Sequence, residues 1–299
     1  MLSTENRFDV SVIIPTYNQS KLLNNTLTAL LKQDISPDKF EVIIADDGSS
    51  DDTKEIVQQF GDLLNLKYVY QEDKGYRPAS ARNLGILAAE GNICLFIDSS
   101  VILNTNCIGE HIRFYEAKTE PVAAIGYVYG FDQVPEAEKM LKELVIPEDP
   151  FESVKRLLMN EVFADVREPH YAVHQYKIEK LPAPWVFFWT CHVSARRSDI
   201  IRIGLFDENY DGRWGMEDFD LGFRLHQAGV NLCVLRTAES IHFPHSKDMT
   251  ERKQQGYQNC AYFNNKFKTF ETDLYFRNYH HIETVDVNAV CLQLTDKSF

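Results

Sequence analysis

The first 130 residues alternate short apolar runs with segments of helical period. Residues 10–14 form a β-branched run that ends in Pro15-Thr16-Tyr17-Asn18, after which Leu22, Leu23, Leu27, Leu30 and Leu31 recur at helical spacing. Residues 42–45 repeat the pattern and end in Asp46-Asp47-Gly48-Ser49-Ser50. Ile56, Val57 and Phe60 predict a helix, residues 66–70 a third strand, residues 79–89 a helix and residues 93–97 a fourth strand. Continuous β-branched runs separated by helices indicate a parallel sheet covered on both faces, since such strands bury both sides. The expected class is α/β with a doubly wound half.

Beyond residue 130 the texture changes. Residues 135–163 are acidic and helical in pattern, with Pro135, Pro147 and Pro150 as breakers, and residues 164–184 read as a loop. The aromatic stretch 185–194 predicts a strand returning to the sheet, residues 218–228 a helix, residues 231–235 a strand, and residues 250–268 a further helix. No internal repeat or low-complexity tract is visible. One mixed α/β domain with an elaborated C-terminal part is expected.

Composition narrows the class. The 299 residues are 44% hydrophobic and 25% charged, as in ordinary globular proteins. No run of about 18 apolar residues occurs, the length a membrane-spanning helix needs, and MLSTENRFDV lacks the apolar core of a leader. A net charge of -13 disfavours nonspecific nucleic-acid binding, which depends on clustered Lys and Arg. Cys94, Cys107, Cys191, Cys233, Cys260 and Cys291 show no Cys-x-x-Cys spacing and read as reduced core thiols of a cytoplasmic protein.

Ligands of open α/β sheets bind beyond the carboxyl ends of the strands. Three polar strand ends therefore form a candidate set: residues 15–18, residues 46–50, and Asp98-Ser99-Ser100. Each is also ordinary turn composition. Residues 74–83, which precede and open a helix, carry Lys74, Arg77 and Arg82, an anion-binding pattern or a solvated basic turn. Gly85 in that helix permits close packing on the sheet. Glu217-Asp218 sits at a helix start after a glycine-flanked turn, suited either to a general base or to a helix cap. His242 and His245 offer a metal ligand or are structural. His170, His174 and His192 show no carboxylate partner, and residues 136–152 read as a solvated acidic face. Trp185, Phe187, Phe188 and Trp189 offer either sugar-stacking surface or buried strand aromatics.

In this order, the segments at 12–18, 41–53, 74–86, 96–100 and 204–229 resemble family-2 glycosyltransferases of the GT-A fold, over roughly residues 8–245. Stretches 74–86 and 204–229 resemble chondroitin-polymerase and polypeptide N-acetylgalactosaminyltransferase catalytic domains. The resemblance implies a catalytic domain over 1–245, with a nucleotide-binding half (1–130) and an acceptor half (131–245), and a C-terminal extension over 246–299. It implies inverting transfer of a sugar from a nucleotide-diphosphate donor, usually UDP, to an acceptor hydroxyl. Pro15 and Tyr17 would border the base and Asp47 would hydrogen-bond it, with Arg77 and Asn83 beside the nucleotide. Asp98 would lie near ribose and metal (Mn2+ or Mg2+), His242 would complete the metal site, Asp218 would be the base, and Glu217 would contact donor or acceptor.

The departure is Ser100, where the family's Asp-x-Asp places a second carboxylate. A hydroxyl is the poorer ligand for a hard cation. Three readings stay open: a metal held by Asp98, His242 and the diphosphate; cations such as Lys74 or Arg77 in its place; or a catalytically inactive nucleotide-sugar-binding partner subunit. Nucleotidyl transfer is disfavoured by the lack of an early Gly-rich loop with a basic residue. Carbohydrate, lipid-linked, peptide and natural-product acceptors are all open, as is peripheral membrane contact.

Overall fold

The computed structural model describes residues 7–131, 134–245 and 249–295. The start of the stretch read for a leader (1–6), and 246–248 and 296–299 of the expected C-terminal extension, lie outside these. Eight strands make one sheet: β1 (Phe8–Thr16), β2 (Phe40–Asp46), β3 (Leu66–Tyr70), β4 (Gly91–Ile97), β5 (Val101–Leu103), β6 (Val122–Tyr129), β7 (His192–Arg196) and β8 (Asn231–His242). Their order is β3-β2-β1-β4-β7-β6-β8-β5. The β3-β2-β1-β4 half is parallel; β7 is antiparallel to both β4 and β6, and β5 is antiparallel to β8.

The continuous apolar runs are buried on both faces, as the pattern required. Val10, Val12 and Ile14 of β1 pack with Leu23, Leu27 and Val57 on one side. Ile13 faces the other side, with Ile43, Ala79, Ile86 and Phe96. A Cβ on Gly85 would lie 2.5 Å from Ile13 Cγ2, so glycine lets the Pro78–Ala88 helix lie against the sheet.

Three expectations are corrected. Residues 164–184 are not simply a loop: they contain the helix Glu168–Val173 and the turn Ile178–Lys180. Arg167 anchors this segment, pairing with Asp165 at 2.7 Å and donating to the carbonyls of Gly126 and Phe187. Stretch 185–194 is not one strand. Pro184, which has no amide for a ladder, starts a short 3-10 turn to Phe187, and β7 begins only at His192. The strand at 231 runs on to His242, with a register shift opposite Gly126 and Tyr127. β5 and β6 add to the strands expected.

The chain after β8 returns to the same core. Helices Met249–Phe267 and Phe270–Arg277 bring Cys260, Phe263 and Tyr275 against Trp185, Phe219 and Phe223. Trp185 is fully buried there, its ring 5.1 Å from Phe263 and 5.7 Å from Tyr275. His170 and His174, read as lacking a carboxylate, face Asp286 at 3.5 and 3.3 Å.

Candidate functional site

A cleft of about 590 Å3 opens at the carboxyl ends of β1, β2 and β4. Pro15, Tyr17, Asp47, Asp98, Glu217, Asp218 and His242 all line it, although they come from five separate stretches of chain. Arg77 and Asn83 do not border it. Arg77 instead braces Asp47, donating through its amide to Oδ2 at 2.7 Å and pairing through Nη2 with Oδ1 at 3.0 Å. Asn83 is buried and spends its amide on the Phe206 backbone and the Glu208 carboxylate.

At the β2 end the two aspartates divide. Asp46 is consumed by the turn, accepting from the Ser49 amide at 2.7 Å and the Tyr68 hydroxyl at 2.6 Å. Asp47 faces the cleft; burial raises its proton affinity, against the pull of Gln71 and Arg77. Tyr17 stands half exposed across from it, its hydroxyl donating to Asp73 at 3.0 Å.

Arg82 is the hub, a role the sequence reading left unassigned within its basic stretch. It is 5% exposed, and its Nη1 donates to Glu217 Oε1 at 2.9 Å while Nη2 meets Asp98 Oδ1 at 3.3 Å. One guanidinium thus joins the β4 end to the helix that carries Asp218. Next to it, the Ser100 hydroxyl lies 3.4 Å from His242 Nε2, because Val101 of β5 pairs with His242 of β8. This corner offers one carboxylate, one hydroxyl and one imidazole. Among the described residues no three acid, His or Cys side chains converge here. The set fits a hard divalent cation whose shell is completed by diphosphate oxygens rather than an all-protein cage. Lys74 is exposed and pairs with Glu72 at 3.6 Å; neither it nor Arg77 lines the cleft, whereas Arg82, Arg252 and Lys253 do.

The Glu217–Gln227 helix begins at Met216, whose φ of 77° is left-handed and costly for a non-glycine residue. Asn259 holds that turn: its Nδ2 donates to the carbonyls of Tyr210, Arg213 and Gly215, and its Oδ1 accepts from Arg213 Nε at 2.8 Å. Asp218 is half-buried, with the amides of Phe219 (2.9 Å) and Thr190 (3.4 Å) beside it. Burial, then the charge of Glu217, push its carboxyl up to about 7, although Arg82 pulls the other way. A carboxyl titrating there can take a proton near neutral pH.

The C-terminal helices supply Arg252, Lys253, Tyr279 and His280 to the cleft wall. The sequence marked 246–299 as a C-terminal extension and singled out none of these residues in it. Of the aromatic run, Trp185, Phe187 and Phe188 are buried, while Trp189 lines the cleft and stacks on the Arg167 guanidinium at 4.8 Å.

Residues 11–174 match the model of glycosyl transferase family 2, and residues 169–246 match the N-terminal domain of galactosyltransferase. The chain is 36% identical over 270 residues to validoxylamine A glucosyltransferase of Streptomyces hygroscopicus subsp. limoneus, covering 89% of itself and 58% of that protein. It is 32% identical over 239 residues to chondroitin synthase of Escherichia coli, covering 77% of itself and 33% of that protein. It therefore spans about 60% or less of the length of these relatives. Among solved structures, Staphylococcus aureus TarS 1-349 in complex with UDP-GlcNAc superposes with a TM-score of 0.61 at 19% identity, over 91% of this chain and 72% of that one. The Pyrobaculum calidifontis mannosyltransferase in complex with GDP-Man and Mn2+ gives 0.60 at 17%, over 98% and 76%. The fold is that of the GT-A glycosyltransferases.

Proposed function

The chain belongs to glycosyltransferase family 2, and from that premise we propose that it moves a sugar from a nucleoside-diphosphate donor, UDP foremost, to an acceptor hydroxyl with inversion at the anomeric carbon. Residues 1–245 are the catalytic unit in this reading, and the helices after 248 complete its wall. One observation carries it: Asp218, its carboxyl pushed up by burial and by the charge of Glu217, lines the same cleft as Asp47 and Asp98.

Tyr17 and Asp47 receive the base, the latter fixed by Gln71 and Arg77. Asp98 stands where ribose and diphosphate begin. As the acceptor oxygen bonds to the anomeric carbon, the bond from that carbon to the diphosphate breaks and its electron pair leaves with the diphosphate. The acceptor proton passes to Asp218. Glu217 keeps Asp218 basic by its charge, and Arg82 holds Glu217 in place. Asp98 and His242 would hold a divalent cation, whose charge would stabilise the negative charge gathering on the leaving group. A TarS structure with UDP-GlcNAc and a relative structure with Mn2+ in the same fold support donor and ion alike.

Ser100 favours a second reading, a donor-binding subunit without turnover. The two separate when purified protein is screened by thermal shift against UDP- and GDP-sugars with and without Mn2+, because a ligand of the folded form raises the melting temperature. The best donor is then incubated with an acceptor panel and the product's anomeric configuration is read by NMR. Transfer is expected with inversion and a stronger shift with Mn2+. A retained configuration would refute the mechanism, and donor binding without hydrolysis or transfer would favour the second reading.

A further inference from the structure

Beneath the cleft lies a polar cluster that the transfer reaction does not use. Cys107 and His111 stand four residues apart on the helix Cys107–Glu116, so both leave the same face. They meet His192, the first residue of β7, and all three are fully buried. Cys107 Sγ is 3.4 Å and His111 Nε2 is 3.0 Å from His192 Nε2, and the three atoms lie within 4.8 Å of one another.

Two features resemble a coordination shell more than a chance meeting of core residues. With Zn–N near 2.0–2.1 Å and Zn–S near 2.3 Å, a tetrahedron has N···N and N···S edges of about 3.3 and 3.6 Å; the measured 3.0 and 3.4 Å are close to these. Each imidazole also turns its other nitrogen to a serine: His111 Nδ1 lies 2.9 Å from Ser194 Oγ, and His192 Nδ1 lies 2.8 Å from Ser240 Oγ. The Ser240 hydroxyl donates to the Tyr127 carbonyl at 3.1 Å, so its oxygen is left to accept from His192 Nδ1–H. That fixes the His192 tautomer with the Nε2 lone pair toward the cluster, the arrangement outer partners impose on metal-binding histidines. Burial keeps both rings neutral, lowering His111 to about 3 and holding His192 well below the usual imidazole range. A Cβ at Gly126 would lie 2.3 Å from the His192 ring, so glycine there makes room for the imidazole.

We propose that Cys107, His111 and His192 bind one Zn2+ ion that braces the sheet beneath the cleft and takes no part in sugar transfer. Two imidazoles and a thiolate suit this borderline-soft ion better than Mg2+ or Mn2+. As the sulfur–zinc bond forms, the thiol proton leaves to solvent, and the three side chains supply three of the ion's four positions. The ion would sit under the diphosphate corner: His192 pairs with Ile97, one residue before Asp98, and Ser240 precedes His242 by two.

The test is zinc content of the purified protein by mass spectrometry, before and after incubation with Zn2+ and desalting. The site predicts about one equivalent per chain after loading, with affinity at least about tenfold lower in Cys107→Ser, given what even outer partners contribute. Asp98→Asn should keep the zinc, which separates this site from the cleft. Cobalt loading should give a thiolate-to-metal charge-transfer band that Cys107→Ser abolishes. Should Cys107→Ser fail to fold, the intact protein decides: a strong chelator should lower its melting temperature and Zn2+ restore it. Loaded protein without zinc and a melting temperature indifferent to the chelator would overturn the proposal, as would zinc lost in Asp98→Asn but kept in Cys107→Ser.

Discussion

Asp218 and Asp220 leave one helical turn and meet opposite surroundings. Asp220 is fully buried and saturated: Arg224 at 2.5 Å, Lys266 at 2.5 Å and the Tyr210 hydroxyl at 3.1 Å share its oxygens. Asp218 has two backbone amides, a neighbouring Glu217 and, among the described residues, no ion pair. The same side chain is a strut in one place and, in the proposed reaction, the proton acceptor in the other, and the cations nearby separate the two. A carboxylate neutralised by Lys and Arg holds structure. One that is partly desolvated beside a like charge stays poised to take a proton.

That contrast can be broken at its cations. The largest effect is expected for Arg82→Met, which leaves Glu217 buried without its partner. Breaking such a pair costs about 3–5 kcal/mol, read as the loss of unfolding free energy in urea. It should also move the pH–rate profile of Asp218 upward, since Arg82 is the foremost of the groups that lower its proton affinity. An unchanged profile would show that the Arg82 charge does not act on Asp218. Lys266→Met should cost less, about 1–3 kcal/mol, because Arg224 and Tyr210 still serve Asp220. It should leave the shape of the pH–rate profile as in the parent, which sharpens the separation of strut from base.

The pH dependence follows from direction. A base titrating near 7 makes transfer rise with pH through about 7 and level off above it. The stability effect runs the other way. The folded carboxyl binds its proton more tightly than an unfolded aspartate, so Asp218 costs stability progressively as pH rises from about 4 to about 7. Asp218→Asn should therefore melt no lower than the parent at pH 8, and higher if burial of the charge dominates. A lower melting temperature at pH 8 would mean that the charge is stabilised in the fold.

The parallel half of the sheet was legible because buried strands are continuous β-branched runs, as at residues 10–14 and 42–45. The antiparallel half was less so. β5 is three residues long, and β7 follows a proline turn whose aromatic composition imitates a strand. The polar strand ends could be read as a site because sheet topology gathers them at one edge. Arg82 could not be told from Arg77 by sequence: both sit in one basic stretch, and only the crossing of the Pro78–Ala88 helix over the sheet turns Arg82 inward to Asp98 and Glu217. The pairing of Asp286 with His170 and His174, and of Asn259 with the 210–215 turn, joins residues far apart in the chain and leaves no local signature.

The assignment of Asp218 as the proton acceptor is tested most directly by Asp218→Asn at pH 8, with donor affinity measured by calorimetry and transfer measured in a single turnover. Asparagine keeps the shape and, through its one oxygen, the shorter amide contact from Phe219, but cannot take the proton. The expected result is donor affinity within about twofold of the parent and a transfer rate lower by about 10^2–10^4. Transfer at the parent rate with the donor bound would contradict the account.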